Sequence, residues 1–199
     1  MLIKIANQHT PHAMPSIIPV QLHSQRLTLR VLTPADADVL FAICRDEETM
    51  RYWSSAPWRE RAQALEHITQ SEDDYRAGSA LRLGVELRET GELIGTVTLY
   101  AIMRTNHRCE IGYLLSRPHW GHGYMGEALT LLIEHGFEQL ELNRIEADLH
   151  PYNAASAKLL GKLHFRLEGR LRERWFVNGE VSGSDMYGLL RSDWRAAKG

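Results

Sequence analysis

The segment Leu114-Leu115-Ser116-Arg117-Pro118-His119-Trp120-Gly121-His122-Gly123-Tyr124-Met125-Gly126 constrains this chain more than any other, because it joins a strand-like run to a helix through closely spaced glycines. Beyond it, Ala128, Leu129, Leu132, Ile133, Phe137 and Leu140 recur at three- and four-residue intervals and give one apolar helical face. Glycine lets a backbone turn tightly and approach a ligand, and the first turn of a helix leaves amide N–H groups unpaired at its positive dipole end. A strand, a glycine turn and a helix start in this order make a seat for a pyrophosphate. A lone Gly-x-Gly also fits many ordinary turns.

Spacing separates the nucleotide-binding alternatives. There is no GxxxxGK[ST], so a P-loop is absent, whereas Gly121, Gly123 and Gly126 do spell a formal GxGxxG. The dinucleotide version of that motif follows the first strand of a parallel βαβ unit, with an acid near the end of the second strand. Here roughly half the chain precedes it, and Glu146 and Asp148 match the acid only in part. His119 and His122 form a short HxxH, but Gly121 interrupts it and no third ligand is evident, so loop histidines are expected and no metal site.

Upstream, Leu27, Leu29 and Val31 alternate with polar residues as in a half-buried strand. Thr33-Pro34-Ala35-Asp36 is a helix start, and the helix should run through Leu40, Phe41 and Ile43. Tyr52 to Trp58 is an aromatic loop, read equally as a packed corner or as the wall of an acceptor site, and a charged helix over 59–76 follows it. Strands are predicted over 81–87 and 93–101, joined by a polar Gly-containing link, and over 109–115. After the glycine segment the order is a helix over 121–140, a strand over 144–149, a helix over 153–163 and strands over 165–177 and 184–190. Residues 1–24 carry Pro11, Pro15 and Pro19 without periodicity and are expected to be an extended arm ahead of one domain over 25–199.

With 44% hydrophobic residues the chain is long enough for one sizeable core. The formal net charge of -2 gives no global positive field, so a nucleic-acid partner is not expected. Nothing approaches the apolar length of a membrane span. Cys44 and Cys109, alone and far apart, form neither a disulfide framework nor a zinc ribbon, which fits a reducing cytoplasm.

Four stretches in one order resemble the GNAT superfamily, in its RimJ/RimL-like branch of N-acetyltransferases. They are Arg26-Leu27-Thr28-Leu29-Arg30, Glu110-Ile111-Gly112-Tyr113-Leu114-Leu115, Trp120 to Ala128, and Asn153 to Leu160 running on to Phe165. The resemblance spans about residues 25–190. It implies an α+β GNAT fold: a mixed, mostly antiparallel sheet of about seven strands with splayed central strands, and helices on both faces. It further implies acetyl-CoA as cosubstrate, without a metal. Gly121 and the backbone amides of His122, Gly123, Tyr124, Met125 and Gly126 would hold the pyrophosphate, and Leu114, Leu115 and Ser116 would bond the pantetheine arm.

The reaction implied is transfer of acetyl to a primary amine, a protein N-terminus first among acceptors. A small amine, or a non-catalytic acetyl-CoA sensor, are the alternatives. A homodimer rests on the resemblance alone. An ammonium must lose a proton before it attacks a thioester, and Glu110, at the start of the strand leading to the glycine segment, is the candidate base; a solvated strand-edge glutamate reads equally well. Asn153 and Ser156 are the residues that the branch places beside the cosubstrate, and both also suit helix capping. Many relatives carry a tyrosine acid seven positions after that asparagine, where this chain has Leu160, so thiolate protonation falls to Ser156, with Tyr113 and Tyr152 behind it. Trp120 stands where the wider superfamily has Gln or Arg, and His164 replaces a usual glycine. Residues 53–58, the helix that follows them and residues 102–108 are the expected acceptor walls, with Arg104 and Arg108 read as solvated or as partners for an acidic acceptor.

Overall fold

A computed structural model describes residues 16–18 and 20–198; most of the proposed arm, residues 1–15, lies outside the described residues. Eight strands form one sheet in the order β1-β2-β3-β4-β5-β6-β8-β7. They are β1 (Leu22–His23), β2 (Leu27–Arg30), β3 (Leu81–Leu87), β4 (Leu93–Met103), β5 (Arg108–Leu115), β6 (Arg144–Leu149), β7 (Arg166–Val177) and β8 (Glu180–Leu190). Every neighbouring pair is antiparallel except β5 and β6. The mostly antiparallel mixed sheet is as expected, with the two-residue β1 as its eighth strand. Within the segment read as an arm, Ile17 is buried and its N–H donates to the Tyr75 carbonyl at 2.8 Å.

Helices α1 (Ala37–Arg45), α2 (Glu47–Met50) and α3 (Ala62–Ala77) precede β3; α4 (Tyr124–Glu138), α5 (Ala154–Lys162) and α6 (Arg191–Lys198) follow β5. Two apolar clusters divide the faces of the sheet. Leu129, Leu132, Ile133 and Phe137 of α4 pack with Leu83, Leu99, Ile111 and Ile145, together with Leu160 of α5 and Trp194 of α6. On the other face Leu40 and Ile43 of α1, Met50 of α2 and Ile68 of α3 pack with Leu93 and Leu114. Strand alternation sends Ile111 and Tyr113 to the α4 face, and Glu110, Gly112 and Leu114 to the α1–α3 face. No helix among the described residues is long and apolar enough to cross a membrane.

The largest boundary difference from expectation has a physical reason. Strand β8 begins at Glu180 rather than Ser184, because Asn178 (φ 53) and Gly179 (φ 85) make a two-residue hairpin turn with both central residues left-handed. Helix α5 ends on His164 at φ 66, with Phe165 N–H donating to the Leu160 carbonyl at 3.0 Å and His164 N–H to that of Gly161 at 3.1 Å. This is the double bond pattern of a left-handed helix terminus, which favours glycine. The turn keeps its shape at a conformational cost of about 1–2 kcal/mol for a residue with a Cβ. His164→Gly is therefore expected to stabilise the protein by about 1 kcal/mol and raise its melting temperature by roughly 2–4 °C. A lower melting temperature in a thermal scan would show that the imidazole contributes more than the strain costs.

Candidate active site

The parallel β5–β6 pairing is short. Arg108, Cys109 and Glu110 pair with Arg144, Ile145 and Glu146, and then the strands part: β5 continues on β4 as far as Leu115, while Ala147 to Leu149 continue on β8. A gap opens in the middle of the sheet beyond Glu110. Antiparallel ladders turn alternate residues toward the partner strand. Leu114 pairs with Thr96, and Ser116 N–H donates to the Ile94 carbonyl at 2.8 Å, so those two face β4 and the backbone groups of Tyr113 and Leu115 face the gap. The Leu115 carbonyl accepts from the Trp120 indole N–H at 2.7 Å, which gives the unusual tryptophan a structural task and leaves the Leu115 N–H to the gap. Of the three residues expected to bond a pantetheine arm, Leu115 is thus the one whose donor points there; the Ser116 amide is committed to the sheet.

At the wide end of the gap the chain turns into α4. Gly121 and Gly123 both adopt φ 80, and Gly123 caps the helix. The helical ladder begins with Glu127 N–H donating to the Gly123 carbonyl at 3.2 Å. Among the described residues, the amides of Gly121, His122, Gly123, Tyr124, Met125 and Gly126 donate to no protein acceptor. Six donors gathered at the positive end of a 15-residue helix suit two phosphate charges.

A brace that sequence reasoning missed holds this loop from the far end of the sheet. Arg26 donates from Nη1 to the His122 carbonyl at 3.1 Å and from Nε to Glu127 at 2.7 Å, and its guanidinium lies 4.6 Å from the Tyr124 ring centre. The Ser24 hydroxyl adds a bond to Glu127 at 2.5 Å. Burial works against ionisation of Glu127, but the bonds from Ser24 and Arg26 prevail and hold its carboxyl below the usual range. Arg26 also brings a positive charge beside Gly123, whose Cβ position would lie 3.6 Å from Nη2. The two histidines of the HxxH have separate partners: His119 Nδ1 lies 2.8 Å from the Ser116 hydroxyl, and His122 stacks on Tyr124.

On the α1–α3 face, Glu110 stands across from Tyr100, and burial together with the carboxylates of Glu110 and Asp148 pushes the Tyr100 phenol above its ordinary range. The missing side chain of Gly112 leaves space walled by Tyr100 and Trp53, 3.4 Å and 3.9 Å from where a Cβ would be. Asp148, 7% exposed, accepts from Arg174 Nε at 2.8 Å and from the Trp175 indole at 3.2 Å. A bulge in β7 makes this pair: Leu171 is opposite Ser184 but Trp175 is opposite Ser182, with Glu173 at φ 50. Bulges of this kind re-aim side chains. No sequence signal marks it, since the left-handed residue is a glutamate.

The aromatic loop divides between its two readings. Trp58 packs with the α1–α3 core and against His67, whereas Trp53 reaches the Gly112 hollow. Arg108 is tied to Glu146 at 2.7 Å and is therefore not held out to an acceptor.

At the start of α5, the Asn153 side chain caps the helix by accepting from Ser156 N–H at 3.1 Å, which leaves the Ser156 hydroxyl outside the capping contact. Leu160 is 0% exposed, whereas Tyr152 is 79% exposed beside His150. Neither cysteine offers a nucleophile: burial pushes the Cys44 thiol up to about 12, and burial with the neighbouring carboxylates pushes Cys109 up as well. Two functional groups thus lie on opposite faces of one gap, a carboxylate with aromatic walls on one and hydroxyls on the other, with an anion seat at its end.

Residues 26–166 match the acetyltransferase (GNAT) domain family. The uncharacterized N-acetyltransferase p20 of Bacillus licheniformis is 40% identical over 173 residues, covering 87% of this chain and 97% of that one. The [ribosomal protein uS5]-alanine N-acetyltransferase of Escherichia coli (strain K12) is 30% identical over 121 residues, 60% of this chain and 62% of its own length. Among solved structures, one described as a probable acetyltransferase superposes with a TM-score of 0.81 at 26% identity, covering 88% of this chain and 99% of the other.

Proposed function

This chain belongs to the GNAT acetyltransferase family and is an N-acetyltransferase, and we propose that it moves acetyl from acetyl-CoA to the N-terminal amine of a protein or peptide by direct attack on the thioester. The observation that carries the donor is the set of six unpartnered amides from Gly121 to Gly126 at the start of α4, set at the end of a gap lined by the Leu115 N–H. The residues present fit the cosubstrate: the amides would take the pyrophosphate, Leu115 the pantetheine arm, and the gap would admit the thioester between the faces.

Glu110 acts as base, drawing the proton from the ammonium, directly or through water, on the face walled by Trp53 and Tyr100. The neutral nitrogen then attacks through the gap, the N–H of Tyr113, the other β5 donor that faces it, bonds the developing oxyanion, and Glu110, having passed the first proton to solvent, takes the second from nitrogen as the carbon–sulfur bond breaks. On the far face Ser156 delivers a proton to the departing sulfur, through water. Direct transfer needs no acetylated side chain, in keeping with two buried, protonated thiols. A protein acceptor is supported by the likeness to a ribosomal-protein acetyltransferase, and a cationic amine by the Glu110 carboxylate beside aromatic walls. The place of work on this reading is the cytoplasm, where acetyl-CoA and new N-termini meet.

A panel of peptides beginning with Ala, Ser or Met, polyamines and free amino acids, followed by thiol release from acetyl-CoA, tests the acceptor. Turnover confined to peptides with a free N-terminus is the expected result; turnover confined to polyamines or amino acids would replace the acceptor, and binding without turnover would favour a sensor. A homodimer is part of the same reading. Its support is β7, an edge strand that leaves Leu167, Leu171 and Phe176 exposed, the last at 74%. Light scattering should give the mass of two chains; the mass of one would remove the dimer.

A further inference from the structure

Glu127 stands in the first turn of α4, beside the amides read as the pyrophosphate seat, and it is ionised at neutral pH. A carboxylate at a helix N-terminus complements the positive dipole end, and it repels an anion that comes to the same end. By charge alone Glu127 weakens the seat. Its contacts give it a different task. One carboxylate oxygen accepts from the Ser24 hydroxyl and from the Arg26 N–H at 3.1 Å; the other accepts from Arg26 Nε at 2.7 Å and lies 2.6 Å from Nη2. Both oxygens are thus spent on the segment that leads into β2.

With its guanidinium fixed in this way, Arg26 uses Nη1 to hold the His122 carbonyl at 3.1 Å. The C=O and N–H of one trans peptide unit point in opposite directions, so a carbonyl held toward Arg26 turns the Gly123 N–H away from it. That N–H meets no protein acceptor among the described residues. Gly123, at φ 80 and without a Cβ, does not fix this peptide plane by itself, because glycine has both signs of φ open to it. We propose that Glu127 and Arg26 are positioning residues for the pyrophosphate: Glu127 fixes the guanidinium, the guanidinium fixes the His122–Gly123 peptide plane, and the plane aims one amide at the ligand. The inference rests on the acetyl-CoA reading above. The two side chains cancel in charge, so what they supply is orientation, and donors already aimed bind more tightly than donors that must be ordered on binding.

The test is calorimetric titration of acetyl-CoA into the full chain and into Glu127→Gln, for which charge and orientation predict opposite signs. Gln keeps the shape and removes the negative charge, so a seat governed by charge would bind more tightly. A seat governed by orientation has a looser clamp and binds more weakly, by about threefold. Arg26→Met keeps the stem and removes every donor, and its affinity should fall further, by about 10-fold, the scale of one lost hydrogen bond to a charged group. In protein isotope-labelled at glycine, acetyl-CoA should move the Gly123 amide resonance downfield in the wild type and by less in either variant, a readout that loss of stability alone does not move. Equal or tighter binding by Glu127→Gln, or a wild-type Gly123 response in Arg26→Met, would overturn this inference alone. Failure of the wild type to bind acetyl-CoA would overturn the donor reading and this inference together.

Discussion

Replacing Glu110 with Gln is expected to lower kcat by about 10²-fold or more while leaving acetyl-CoA affinity unchanged, because the amide keeps the shape and cannot take a proton. An N-terminal amine, with a pKa near 8, is largely an ammonium at neutral pH and must be deprotonated before it attacks. Solution supplies the neutral amine as pH rises, so the defect should narrow between about pH 7 and pH 9. Steady-state rates for both proteins across that range test the point. Equal rates at every pH would return Glu110 to the status of a solvated strand residue, and an equal defect at every pH would mean that its charge serves binding rather than proton removal.

Gly123→Val should be the most damaging change to the donor site. Gly123 sits at φ 80, and a β-branched residue there is a steric outlier costing about 2 kcal/mol. The helix start would shift to relieve it, and the six amides aimed at one anion would no longer converge. Acetyl-CoA affinity is expected to fall about 100-fold, or about 2.7 kcal/mol, measurable by calorimetry. The apolar face of α4, anchored by Phe137 and Leu129, does not depend on this residue, so the far-ultraviolet spectrum should be retained. Retained affinity would mean that the pyrophosphate is bound elsewhere.

Much of this was legible in the chain because the signals are local. The spacing of apolar residues marks α4, alternation marks β3 and β6 to the residue, and glycine at 121 and 123 announces left-handed backbone where the structure has it. The four ordered stretches singled out Glu110, the glycine turn and Ser156, each from its own motif. What escaped was made by pairs far apart in sequence. Arg26 and Glu127 are joined across about a hundred residues, and neither carries a local hint of the other. The Asp148–Arg174 pair depends on a bulge whose left-handed residue is Glu173 rather than a glycine or asparagine. Tyr113 stood behind Ser156 as a candidate for thiolate protonation, and the structure adds that its hydroxyl is buried close to that serine. The Asn178-Gly179 turn is a different case: its signal was present in the sequence, and the start of β8 followed from it.

The most direct test of the account is rapid mixing of the protein with acetyl-CoA, first alone and then with a peptide bearing a free N-terminus, while free thiol is followed. Direct attack predicts no stoichiometric burst in the absence of amine and steady release once the peptide is added. A burst without amine would reveal an acetylated enzyme and contradict direct transfer, and silence after addition of every amine, with acetyl-CoA bound, would contradict catalysis on an amine.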